Sequence, residues 1–132
     1  MGYASILVVD DDAVFRGAIC RELRASGCVV QEAGDGVKAL RSLNAEPPEL
    51  MIIELTIPDG AGVELIHAVK RDCPSARVLA TSWRSHIRSL DLLDMALLLG
   101  ADATLAKPFA VGVLLEKVAQ LMMPEGGSCQ GS

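Results

Sequence analysis

The sequence predicts an α/β fold, a doubly wound parallel sheet in which five strands alternate with five helices. Three observations lead there. Short β-branched runs are apolar throughout, as in strands buried on both faces of a parallel sheet. Between them, apolar residues recur every three or four positions, the spacing of a helix with one buried stripe. Two of the runs end in carboxylates, Asp10-Asp11-Asp12 and Glu54, at the strand ends where such sheets collect ligands.

Ser5 to Val9 is the first apolar run, and Phe15, Ile19 and Leu23 behind it make a helical stripe closing at Gly27. Cys28-Val29-Val30 reads as the second strand and Gly34-Asp35-Gly36 as a turn. Val37, Leu40 and Leu43 are expected on the buried side of a second helix, which Pro47-Pro48 stops. Leu50 to Leu55 forms the third strand. After the Pro- and Gly-rich loop Thr56 to Gly62, the residues Val63, Ile66 and Val69 mark a third helix ending before Pro74. Val78 to Ser82 is the fourth strand, a fourth helix runs from about Ile87 to Leu99, and Ala103 to Ala106 is a short fifth strand. Val111, Leu114, Leu115, Val118, Leu121 and Met122 face one side of a last helix. One domain therefore spans residues 1–123, and residues 124–132, rich in Gly and Ser with nothing to bury, are expected as a flexible tail or linker stub.

Composition narrows the function. The 132 residues, 51% of them hydrophobic, suffice for one core and leave no room for a second domain. Seventeen acidic against twelve basic residues give a net charge of -5, and the basic ones are scattered, which argues against direct nucleic-acid binding. No apolar run is long enough to span a membrane and no leader pattern precedes the first strand, so a cytoplasmic protein is expected. Cys20, Cys28, Cys73 and Cys129 lack metal-ligand spacing; the first three read as ordinary buried thiols, and Cys129 as an exposed one able to crosslink two chains.

Val8-Val9-Asp10-Asp11, Ile53-Glu54-Leu55-Thr56-Ile57-Pro58, Leu79-Ala80-Thr81-Ser82, Gly100-Ala101-Asp102 and Lys107-Pro108-Phe109 stand in the order and approximate spacing of a response-regulator receiver domain, and the chain resembles that family over about residues 5 to 123. The resemblance implies a flavodoxin-like sheet of strand order 2-1-3-4-5, the order that the chemotaxis receiver exemplifies. It also implies roles. Asp10 and Asp11 match the acidic pair that holds Mg²⁺ together with the acceptor carboxylate, Glu54 falls at the phospho-acceptor position, Ser82 (with Thr81 the alternative) is the switch hydroxyl, Lys107 binds phosphate, and Pro108 follows a cis peptide bond. Hard carboxylate oxygens suit Mg²⁺, and an ammonium with a hydroxyl completes a phosphoryl cage.

Glu54 departs from the family's aspartate. One added methylene shifts the carboxylate by more than an ångström, since a C–C bond is about 1.5 Å, and in-line attack tolerates little misplacement. Glu54 is expected to reach Ser82 or Lys107 instead, weakening any Mg²⁺ site and leaving a receiver that works without phosphorylation, locked active, locked inactive or set by a partner. Trp83, beside the switch hydroxyl, is expected to crowd the cleft, and Thr104 replaces the frequent aromatic of the fifth strand. Asp12 is read as a helix cap, and His67 and His86 as plain surface residues.

The leading functional reading is a signalling module in a two-component or phosphorelay system that acts through protein contacts and is not a turnover enzyme. Its expected partners are a histidine kinase, a phosphotransfer protein or an output protein. They would meet the surface of the fourth helix, fifth strand and fifth helix, because Leu90 to Leu99 leave the fourth helix hardly any polar face; a homodimer there is the other use of that surface. A genuine Mg²⁺-dependent phospho-accepting receiver is the alternative within signalling. A metal-dependent phosphohydrolase ranks below both, because no histidine base or activated nucleophile stands near the carboxylates.

Overall fold

A computed structural model describes residues 4–83 and 92–123. In it β1 (Ser5–Val9), β2 (Val29–Ala33), β3 (Leu50–Glu54), β4 (Arg77–Trp83) and β5 (Ala103–Lys107) alternate with α1 (Ala13–Ala25), α2 (Gly36–Ala45), α3 (Gly62–Asp72), α4 (Leu92–Leu99) and α5 (Val111–Met122). All strand pairs are parallel and the order is β2-β1-β3-β4-β5, so the expected architecture and strand order hold.

The period-two alternation of the strands divides the core between the two sheet faces. Ile6, Val8, Leu50, Ile52 and Leu79 pack with Ile19, Cys20 and Leu23 of α1 and Leu114 and Val118 of α5. Leu7, Val9, Met51, Ile53, Val78 and Ala80 point the other way, onto Ala39 and Leu43 of α2, Leu65, Ile66 and Val69 of α3, and Ala96 of α4. Because β1 and β3 are covered on both sides, their runs are apolar without interruption.

Local chemistry sets the helix starts. The Asp12 carboxylate accepts from Phe15 N at 3.0 Å and caps α1; Asp35 does the same for α2 from Lys38 N at 2.8 Å. Gly62 opens α3 where only a glycine fits, since a Cβ there would lie 2.7 Å from the Leu55 carbonyl oxygen.

Helix α2 is turned from its expected face. Leu43 is buried, but Val37 and Leu40 are 64% and 45% exposed, and the buried positions beside Leu43 are Gly36 and Ala39. The cause is close approach: a Cβ on Gly36 would stand 2.3 Å from the Ala61 Cβ, and Gly36 N donates to Asp59 Oδ2 at 2.8 Å. The start of the helix meets its neighbours on its smallest residues, and Val37 and Leu40 turn outward while Leu43 stays in the core. Val63, also expected inside, is exposed, while Leu65 joins Ile66 and Val69 in the core. Of the expected fourth helix, the part before Leu92 lies outside the described residues, as do His86, Cys129 and the expected tail. Cys20 is buried, whereas Cys28 and Cys73 are only half-buried.

Candidate functional site

The carboxyl ends of β1, β3 and β5 meet in one buried polar cluster. Asp10 directly follows β1, Glu54 closes β3 and Lys107 closes β5, and each is at least 98% shielded from solvent. The Lys107 side chain crosses the top of the sheet to reach both carboxylates: its Nζ lies 2.7 Å from Asp10 Oδ2 and 2.7 Å from Glu54 Oε1. The same ammonium sits 4.1 Å from the centroid of the Phe15 ring, which meets the Phe109 ring edge to face at 5.6 Å, and 5.5 Å from that of Trp83. The Lys107–Pro108 peptide is cis.

Each carboxylate is also held from its own strand end. Asp10 Oδ1 accepts from Asp12 N at 2.9 Å, and the Asp10 carbonyl accepts from Arg16 Nη1 at 2.6 Å while Arg16 Nε pairs with Glu32 of β2 at 3.0 Å. Glu54 Oε2 accepts from Thr56 N at 3.1 Å and Thr56 Oγ1 at 2.7 Å. Its other oxygen, Oε1, has the Lys107 charge beside it at 2.7 Å and no hydrogen-bond partner among the described residues.

Two carboxylates against one ammonium leave one negative charge buried here. Burial acts to lower the Lys107 pKa, but the hydrogen bond to Asp10 and the charges of Asp10 and Glu54 outweigh it and raise it above the ordinary lysine value, so the ammonium stays charged. Burial raises the Asp10 pKa, against the lowering effect of Lys107 and of the Asp12 N–H. Burial thus readies Asp10 for a proton on acidification.

These residues floor a cleft of about 180 Å³ lined by Asp10, Asp11, Asp12, Glu54, Thr56, Trp83 and Lys107. Asp11 and Trp83 line it as exposed residues, Trp83 at 54%. Thr81 and Ser82 are buried in β4 beside the cluster but do not line the cleft, and the Thr81 hydroxyl is turned toward the Ile53 carbonyl at 3.4 Å. Of the two expected contacts of Glu54, the one seen is with Lys107. Asp10, Asp11 and Glu54 do not form a three-ligand cage, and no group of three or more His, Cys, Asp or Glu placed to hold a metal occurs among the described residues.

Sequence reasoning missed Thr56, Phe15 and Arg16 as parts of the site. The signal for Thr56 was its hydroxyl two residues after Glu54, a spacing at which a side chain folds back on its neighbour's carboxylate. Phe15 and Arg16 belonged to what read as an ordinary amphipathic helix.

The response regulator receiver domain model matches residues 6–119. The transcriptional regulatory protein PrrA of Mycobacterium tuberculosis is 34% identical over 127 residues, covering 96% of this chain and 53% of the relative. The response regulator MprA of Mycobacterium ulcerans is 32% identical over 118 residues, 89% of this chain and 49% of MprA. The chain thus spans about half the length of the curated relatives it matches. Among solved structures, a CheY-like response regulator receiver domain protein of Methanospirillum hungatei superposes with a TM-score of 0.82 at 25% identity, covering 90% of this chain and 93% of that one. NtrX of Brucella abortus, solved with ADP, gives 0.81 at 26% identity over 92% of this chain and 26% of NtrX. With sheet order, buried cluster and matched length in agreement, the chain belongs to the response regulator receiver domain family, the receiver modules of two-component signal transduction.

Proposed function

We propose that this receiver passes on its signal through protein contacts without entering a phosphorylated state, with Glu54 at the phospho-acceptor position. One observation carries the reading: the Glu54 carboxylate is already engaged, by Lys107 on one oxygen and by the Thr56 amide and hydroxyl on the other. An acceptor has to present an oxygen in line with the donor's phosphorus, and a carboxylate displaced by about one C–C bond and tied down on both sides loses that alignment. Glu54 also brings one negative charge where a phosphoryl group would bring nearly two and three acceptor oxygens. It imitates the phosphorylated state only in part, so the resting state is one of three: locked active, locked inactive or set by a partner.

Incubation with acetyl phosphate and Mg²⁺ followed by intact-mass measurement is the test. No mass gain is expected for the protein as it stands, and a gain of one phosphoryl group is expected for Glu54→Asp. A stable phosphoryl gain in the unaltered protein that Glu54→Gln abolishes overturns the proposal.

A second reading, a phospho-accepting receiver, is favoured by the Glu54 Oε1 atom, buried and without a hydrogen bond. Mg²⁺ asks for only one or two carboxylates beside water and phosphate oxygens, and the donors that fit it are the exposed Asp11 and Glu54 Oε1, which pairs with Lys107 by charge alone, whereas both oxygens of Asp10 accept hydrogen bonds. Bound there, the ion would neutralise charge on an incoming phosphoryl group. Titration of Trp83 fluorescence with Mg²⁺ and with beryllofluoride separates the readings: a saturable response to both favours the second, and a response to Mg²⁺ alone favours the first.

On either reading the chain is not a turnover enzyme. The relatives' names point to transcription as the output, and the acidic balance of this chain argues against direct DNA contact by it. We assign it to the cytoplasm; no helix among the described residues is long and apolar enough to cross a membrane. The partner surface is α4–β5–α5, where Leu98 of α4 is 88% exposed and Leu97, Val111 and Val113 are exposed beside it in the sequence of elements.

A further inference from the structure

A second apolar surface lies on the far side of the sheet from α5, between α2 and α3. Val37 and Leu40 of α2 and Val63 of α3 are exposed large apolar side chains, and all three line one open groove of about 760 Å³. Its end nearest the carboxyl edge of the sheet is fixed by Asp59, whose carboxylate accepts from Gly36 N at 2.8 Å and from Ala61 N at 3.3 Å, tying the starts of the two helices together. The groove is therefore preformed.

Charge along its α3 wall is polarised. Glu64 stands in the first turn of α3 and Arg71 in the last, and both line the groove with His67 and Ala68 between them. Arg71 lies seven positions after Glu64, close to two helical turns, so they share one stripe about 10 Å apart along the axis. A two-fold axis through the middle of that stripe, at His67 and Ala68, sets Glu64 of one copy opposite Arg71 of the other, twice per dimer. It lays the apolar residues of each groove against those of its mate, and the small Ala68 at the crossing lets the helices approach. The adjacent-residue pair of Arg71 with Asp72, at 3.0 Å and exposed, is too weak to hold Arg71 from a partner. A surface complementary to itself under a two-fold axis is what an isologous dimer requires.

We infer that the α2–α3 groove is the site of a symmetric homodimer of this chain, paired through reciprocal Glu64–Arg71 contacts. Helices of only 10 and 11 residues offer a modest face against the roughly 800 Å² per partner of a standard stable interface, so a weak dimer is expected and is to be sought at high concentration. This leaves α4–β5–α5 free for a different partner.

The same polarity of charge complements the helix dipole, so the discriminating measurement is an exchange of charge between copies. Sedimentation equilibrium of the 132-residue chain is run from about 10 μM to about 0.5 mM, the range in which a weak interface shows. A monomer–dimer equilibrium is expected. Glu64→Arg and Arg71→Glu, checked for folding by circular dichroism, are each expected to weaken it at least about tenfold, since two like-charged contacts arise per dimer. In a mixture of these two variants, one copy carries a positive charge at both positions and the other a negative charge at both. Each of the two contacts then joins opposite charges again, and the heterodimer is expected to recover. Leu40→Glu is expected to abolish association on its own. A monomer at every concentration overturns the proposal, as does a dimer that survives both charge reversals or that Leu98→Glu alone dissolves.

Discussion

Two buried layers of this molecule differ by a single residue step along the strands. Val9 and Ile53 belong to the apolar core; Asp10 and Glu54, immediately after them, are buried just as deeply but are charged, and Lys107 joins them from β5. Below the step, residues are held by shape and by exclusion from water. Above it, they are held by charge pairing and hydrogen bonds, because a charge removed from water is tolerable when paired and costly when stranded. The two layers should therefore fail in different ways, and the difference is measurable.

The largest effect is expected where the polar layer loses Lys107, the cation that meets both carboxylates. Lys107→Ala strands Asp10 and Glu54 beside each other, which costs about 3–5 kcal/mol for a buried pair that loses one partner. Urea unfolding at pH 8 should show it, and the loss should shrink toward pH 5 as a carboxyl group, Asp10 with its raised pKa, takes up a proton. A loss under about 1 kcal/mol at pH 8 would mean that water reaches the cluster and that its burial is nominal.

Leu23→Ala breaks the apolar layer instead. Leu23 is wholly buried between α1 and the sheet, and its truncation should cost about 3 kcal/mol through lost burial and the residual cavity. The size resembles the previous effect at its lower end, but the dependence on pH does not: this loss should be the same at pH 5 and pH 8.

Cys20 sharpens the contrast from inside the apolar layer, since it is ionisable yet has no counter-charge bound to it as the carboxylates of the polar cluster do. Burial, and then the nearby Glu32 charge, push its thiol from 9.0 up to about 11. The folded protein keeps this proton at pH values where the unfolded chain has lost it. With the folded pKa above the unfolded one, the stabilisation is complete below about pH 9 and is lost as pH rises through about 11. Cys20→Ala should flatten that part of the alkaline unfolding curve, and a curve of unchanged steepness would place the alkaline transition elsewhere. In the folded state at pH 8, Cys28 and Cys73 should react with a thiol reagent well before Cys20.

The same contrast explains what was legible in the sequence. Strands buried on both faces favour apolar residues, so Asp10 and Glu54 stood out at the ends of their runs, Lys107 was marked only by the resemblance carried by Lys107-Pro108-Phe109, and the alternation of runs and helical stripes pointed to the architecture. The orientation of α2 was not legible from apolar spacing. Val37, Leu40 and Leu43 form a proper helical stripe, yet contact distance decided the packing, and Gly36 and Ala39 approach more closely than any larger residue can. Glycine at a helix start facing another helix was the available signal. The contact of Thr56 with Glu54 was hidden for a different reason: it depends on which way one side chain turns, and the sequence offered Ser82 and Lys107 as equally near neighbours.

The smallest effect is expected from Glu54→Gln, although it alters the same cluster as Lys107→Ala. Neutralising Glu54 leaves Lys107 paired with Asp10 alone and removes the excess negative charge, which favours the fold. Against this, the amide cannot serve both neighbours of the carboxylate. With its oxygen toward Thr56 it sets an NH₂ against the Lys107 ammonium, and with its oxygen toward Lys107 it leaves the Thr56 N–H without an acceptor, although the Thr56 hydroxyl can turn to accept. A lost hydrogen bond of about 1 kcal/mol and a relieved charge of similar size should nearly cancel, and urea midpoints should correspond to a change of no more than about 1 kcal/mol in either direction. A loss as large as that of Lys107→Ala would show instead that Lys107 needs both carboxylates to stay in place, and the cluster would then be one indivisible triad and not an ion pair with a guest.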